Sequence, residues 1–88
     1  MKNRVIKILI ADDHTLFRQG VIRLLEDHND FTIVAEAENG SELIDKYFET
    51  YPDLILADIA MPVLTGIQGV QEILKKDTKV KALFLSMY

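Results

Sequence analysis

Four apolar runs alternate with segments of helical period, and that alternation constrains the fold more than any other feature of the chain. Residues 5–11 ("VIKILIA"), 31–37 ("FTIVAEA"), 53–58 ("DLILAD") and 80–86 ("VKALFLS") are each short and largely apolar. The first, apolar except for Lys7, suits a strand covered on both faces rather than one with a wet side, and 53–58 reads as another buried strand. Between them the spacing changes. Leu16, Phe17, Val21, Leu24 and Leu25 recur at helical intervals, with Arg18, Gln19, Arg23 and Glu26 on the other side. Thr15 is placed to cap that helix and Asn29 to stop it. Asn39 with Glu42 reads as a cap pair opening a second helix, which buries Leu43, Ile44, Tyr47 and Phe48 and runs to about Tyr51, where Pro52 forbids continuation. Ile67, Val70, Ile73 and Leu74 mark a third helix, interrupted by Gly69 at some cost. Strands alternating with helices predict one α/β domain, a doubly wound parallel sheet with helices on both faces, because right-handed crossovers place them there.

With 88 residues, 49% of them hydrophobic and 27% charged, the chain suits one small globular domain. It has no cysteine, so packing rather than a disulfide frame or thiolate metal site must hold it. A net charge of -4 argues against a nucleic-acid groove in this segment, which would need a clustered basic face. Lys75, Lys76, Lys79 and Lys81 form one such cluster, read here as a solvated helix end beside a strand start. The apolar stretch after residues 1–4 is too short, and too soon interrupted by Lys7 and Asp12, for a signal peptide or membrane span. A cytoplasmic location is expected. No linker, repeat or low-complexity segment divides the chain.

Two of the apolar runs end in acids: Asp12 and Asp13 after the first, Asp58 at the end of the third. Carboxylates at the end of a buried strand lose hydration and repel one another unless a cation, a proton or open water relieves them. A metal site, a helix start and a wet loop are the candidates. In open α/β sheets ligands sit outside the carboxyl ends of the strands, where Asp12, Asp13, Asp58 and Ser86 all fall. Hard oxygen ligands from two strands select Mg²⁺ or a similar ion, which could offset the charge of a transferred phosphoryl group. Taken singly, each residue has a plainer reading: acids near a helix start, a loop acid, a turn hydroxyl. Their conjunction favours a site. His14, beside the acids, is read as an exposed loop or helix-start residue with no role, and Phe17, Tyr47 and Phe48 as core.

"ADDHTLFRQG", "DLILADIAMPVLTG" and "ALFLS" together resemble the receiver domain of two-component response regulators, over the whole chain. The texture of "HTLFRQG" and "LLE" is similar to the subfamily that carries a C-terminal helix-turn-helix of the NarL or LuxR type. The resemblance implies a flavodoxin-like fold, here β1-α1-β2-α2-β3-α3-β4, without the last helix-strand-helix and the lysine that its fifth strand bears. It implies that Asp58 is the phosphoacceptor for a sensor histidine kinase and that Ser86 is the switch hydroxyl. It also implies Mg²⁺ held directly by Asp13 and Asp58, through water by Asp12, and by the backbone carbonyl of Ala60. Met61, Pro62 and Gly66 would shape the loop, Gly66 by adopting a backbone conformation that a side chain resists. Tyr88 and Ala60 would flank the path of a hydrolytic water.

On this reading residues 1–88 are a partial receiver domain, its output domain lies beyond residue 88, and DNA is reached only through that domain. Two other function classes stand beside it. Hydrolases of the haloacid dehalogenase kind also use a strand-end aspartate with Mg²⁺, but their Asp-x-Asp would need an acid where Ala60 stands. A receiver that is not phosphorylated would act by docking or self-association, for which the exposed edge of the fourth strand is a template.

Overall fold

A computed structural model describes residues 5–85. The strands are β1 (Ile6–Ala11), β2 (Phe31–Ala37), β3 (Leu54–Asp58) and β4 (Ala82–Leu85); the helices are α1 (Thr15–Glu26), α2 (Gly40–Thr50) and α3 (Gly66–Leu74). All strand pairs are parallel and the sheet order is β2-β1-β3-β4. The expected doubly wound α/β fold is thus present, with β1 and β3 adjacent at its centre. Among the described residues no helix is long and apolar enough to cross a membrane.

Alternation along the strands divides the core into two layers. Leu9, Ala11, Ile55 and Ala57 face α2 and α3, where Leu43, Tyr47, Val70 and Ile73 close over them. Ile8, Ile10 and Leu56 face α1 and meet Ile22. Both faces of β1 are therefore buried, which is why its sequence shows no polar alternation. Gly69 sits where α3 crosses α2: a Cβ there would stand 3.0 Å from Leu43 Cδ2 and 3.2 Å from the Gly40 carbonyl oxygen. The propensity cost of a glycine inside a helix is offset by this close approach.

Several local expectations need correction. α1 presents Arg18, Val21, Ile22 and Leu25 to the sheet, whereas Leu16 and Leu24 are exposed and Phe17 lies at the surface. The reading that put Arg18 on the outer face is thus overturned: Ile22 faces the sheet, and the inward turn of Arg18 places a guanidinium against partners on β1 and β2. His14, not Thr15, occupies the N-cap position, and the helix stops at Glu26 rather than Asn29. Asn39 caps α2 by accepting the Glu42 N–H at 2.8 Å, but the return bond runs from the Glu38 N–H to Glu42 Oε1. A reciprocal capping box instead opens α3, between Thr65 and Gln68. Tyr51 ends α2 in the left-handed region at φ 45°, immediately before Pro52. Ile67 and Leu74 are both exposed on α3. The basic cluster is as expected, with Lys75, Lys76, Lys79 and Lys81 exposed.

At the far end of the sheet from the acids, the Tyr47 hydroxyl donates to Asp77 Oδ2 at 2.7 Å, fastening α2 to the turn before β4. Burial and this bond push the Tyr47 phenol up to about 12, and the same bond holds the Asp77 carboxyl below the usual carboxylate range. A carboxyl depressed by folding contributes stability above its unfolded pKa, which is lost as pH falls through its folded value. Tyr47→Phe should therefore lower the melting temperature at neutral pH, with the gap from wild type narrowing as acid titrates Asp77. Paired thermal melts across that range check this.

Candidate functional site

The register of β1 on β3 builds the site. Ala11 pairs with Ala57, so Asp12 and Asp58, each the next residue along, leave neighbouring parallel strands at the same level. Asp13 and His14 follow in the β1-α1 loop. One ligand atom from each of Asp12, Asp13, His14 and Asp58 lies within 4.8 Å of all the others, an arrangement able to hold a metal ion. The expectation that the three acids converge is met in their positions.

The four side chains differ in freedom. Asp12 is 1% exposed, its Oδ1 accepting the His14 backbone N–H at 2.8 Å. Its other oxygen, Oδ2, is buried with no hydrogen-bond partner among the described residues. Asp58 is buried, with Oδ1 accepting the Ala60 N–H at 3.3 Å. Asp13 is more open. His14, given no role from the sequence, faces all three acids: its Nδ1 lies 3.1 Å from Asp12, 3.3 Å from Asp13 and 3.8 Å from Asp58. The ring is 56% exposed and the residue opens α1, as read from the sequence; what the sequence did not show is that Nδ1 reaches the acids.

Arg18 was also missed. It is buried and directs its guanidinium at the root of the site, donating to the Asp12 backbone carbonyl through Nη1 and to Glu36 Oε1 through Nε at 2.9 Å. The only sequence signal was its place one turn into the helix that follows the acids. Gly66 is required for a different reason from that expected. No glycine among the described residues has a positive φ; instead a Cβ on Gly66 would collide with the carbonyl oxygen of Asp58. The β3-α3 loop carries its left-handed residue at Val63, φ 68°, in a tight turn where the Leu64 N–H donates to the Pro62 carbonyl at 2.7 Å. A β-branched residue there is strained by about 1–3 kcal/mol. Met61 is buried in the core beside this turn, and Ala60 is exposed. Ser86 and Tyr88 lie outside the described residues.

Residues 8–88 match the family described as the response regulator receiver domain, and the chain belongs to that family of signalling domains. It is similar to the transcriptional regulatory protein DegU of Brevibacillus brevis, at 42% identity over 86 residues covering 94% of this chain and 35% of DegU. The chemotaxis protein CheY of Listeria monocytogenes is 39% identical over 82 residues, 93% of this chain and 68% of that protein. Among solved structures, a LuxR-family two-component response regulator from Aurantimonas sp. SI85-9A1 superposes with a TM-score of 0.91 at 32% identity, over 96% of this chain and 60% of that one. The chain thus spans about a third of the length of DegU and about two thirds of that of CheY.

The hydrogen bond to Asp12, with the charge of Asp13 next in weight, raises the His14 pKa above the ordinary 6.5. A histidine raised by folding contributes stability that is present below its unfolded pKa and lost as pH rises through its folded value. A proton NMR titration should place the His14 midpoint above 6.5, and Asp13→Asn should move it down. A His14 midpoint unaffected by that substitution would place the ring away from Asp13.

Proposed function

We propose that the chain is a cytoplasmic phosphoacceptor of a two-component system, taking a phosphoryl group from the phosphohistidine of a sensor histidine kinase onto Asp58. The observation that carries this reading is Asp12 Oδ2, a carboxylate oxygen buried without a hydrogen-bond partner in a cluster of three acids. Burying such an atom is costly unless a cation, a proton or a water completes its surroundings, and among these a cluster of three carboxylates favours a hard cation. Asp13 and Asp58 are the proposed direct ligands of Mg²⁺, with Asp12 acting through an ordered water and Ala60 through its backbone carbonyl. When bound, the ion supplies charge neutralisation for the acids and for the phosphoryl oxygens.

The chain's own residues supply the nucleophile and its placement. The Asp58 carboxylate attacks phosphorus and forms an acyl phosphate as the P–N bond to the donor imidazole breaks. The Ala60 N–H steadies Asp58 Oδ1, and the neighbouring strands keep the group at the rim, where a partner can reach it. Leu16, at the start of α1, is 88% exposed and Val63, on the β3-α3 loop, 83% exposed. These apolar side chains stand on the two segments that carry the acids and offer surface for the phosphodonor to cover. Ser86 is the proposed switch hydroxyl, and an output domain of the helix-turn-helix kind, outside these residues, would carry the signal to transcription.

A second reading has one observation in its favour. On β4, which pairs only with β3 among the described residues, Leu83 and Phe84 are both exposed, and such an edge can pair with a second copy. Incubation with acetyl phosphate and Mg²⁺, followed by intact-mass measurement and sedimentation, separates the two. The phosphoacceptor reading expects one phosphoryl group on wild type and none on Asp58→Ala. A wild-type chain that stays unmodified while sedimenting as a dimer would overturn it in favour of self-association.

A further inference from the structure

Among the described residues the buried charged side chains are Asp12, Asp58 and Arg18. Two of them are acids of the site; the third lies behind it. Arg18 Nη1 donates to the main-chain carbonyl of Asp12, Nε to Glu36 Oε1, and Nη2 stands 3.7 Å from Glu38 Oε2. Glu36 is further held by the Gln19 side-chain amide at 2.9 Å, and Glu38 by the bond from its own N–H to Glu42. The guanidinium is therefore the hub joining the end of β1, the end of β2 and the first turns of α1.

We propose that Arg18 is a positioning residue of the metal centre, fixing the backbone of Asp12 so that the acids meet a divalent cation without rearrangement. The assignment rests on the Mg²⁺ reading given above. Its physical basis is an account of the polar groups of Asp12. The N–H donates to the Ala37 carbonyl at 2.9 Å, the carbonyl accepts from Arg18, and Oδ1 accepts from the His14 N–H at 2.8 Å. Three of the four groups are tied, by three different elements, and only Oδ2 is left for a ligand. Removing Arg18 would free the carbonyl and with it the peptide that leads to Asp13. Groups that orient metal ligands in this way typically contribute about 10–100-fold in affinity.

Electrostatics alone makes the opposite prediction, because deleting a nearby cation should tighten binding of a dication. That contrast supplies the test. Mg²⁺ is titrated calorimetrically into wild type, Arg18→Met and Arg18→Lys at about 0.5 M KCl, where the screening length is only a few ångström. Positioning expects both variants to bind about tenfold more weakly or worse, since a lysine keeps the charge but cannot reproduce the forked contacts. Ile22→Val, which loosens the same helix without touching Asp12, should bind as wild type does.

Arg18→Lys retains a charge for Glu36 and Glu38 and serves if the methionine variant does not fold. Wild-type affinity in Arg18→Lys, or tighter binding in Arg18→Met, would overturn the proposal. A loss in Ile22→Val equal to that in Arg18→Lys would reduce Arg18 to general support of the helix and overturn it equally. Absence of Mg²⁺ binding by wild type itself would instead count against the metal reading on which the proposal rests.

Discussion

The pairing of β1 with β3 in parallel register is the constraint on which the rest of the structure depends. It sets Ala11 beside Ala57 and so delivers Asp12 and Asp58 to one rim, with Asp13 beside them. Two unit charges about 4 Å apart repel by roughly 4 kcal/mol at the effective dielectric found near protein surfaces. A fold of this size has little stability to spare for such a conflict. The surrounding residues answer it in part: His14 faces the three acids, and Arg18 stands behind Asp12. One buried oxygen of Asp12 is left without a partner among the described residues, consistent with a site whose remaining charge is answered by a ligand.

Three loops that could move independently are instead tied into a ring around the acids. Arg18 joins the β1-α1 segment to Glu36 and Glu38 on the β2 side. The Gly40 N–H, at the start of α2, donates to the Leu64 carbonyl at 2.7 Å, joining that side to the β3-α3 loop. Gly66 then brings the start of α3 against the Asp58 carbonyl, where no side chain would fit. The strained turn at Val63 lies within this ring. Strain of this kind persists only where the surroundings over-determine it, and here both flanks of the turn are held. On the proposed Mg²⁺ reading, the ring would place the ligand oxygens in advance, the condition under which a small site can bind a strongly hydrated ion.

The sequence disclosed the fold through its periods and the acids through their positions, because strand ends and carboxylates are both visible in one dimension. The buried faces of α2 and most of the strands followed in the same way. The rotation of α1 did not, since Leu16 and Leu24 compete with Val21, Ile22 and Leu25 for the inner face, and the choice is settled by partners of Arg18 that lie 6 and 18 residues away. That the exposed ring of His14 brings Nδ1 to the acids depends on the path of a loop, which composition does not specify. For Gly66 the residue type was noticed but its reason was not: the need is for contact with a distant carbonyl rather than for an unusual φ, and only the packed structure distinguishes the two.

On the proposed reading, Asp58 is held in a cluster of three acids at a cost to stability because the site serves a cation and a phosphoryl group. Thermal unfolding of wild type and Asp58→Asn, each in the presence of a chelator and again with Mg²⁺, tests it most directly. Removing one charge while keeping the shape should raise the melting temperature above that of wild type when metal is withheld, and Mg²⁺ should then stabilise wild type more than the variant. If Asp58→Asn melts below wild type in chelator and both respond equally to Mg²⁺, the acids are not in conflict and the account is contradicted.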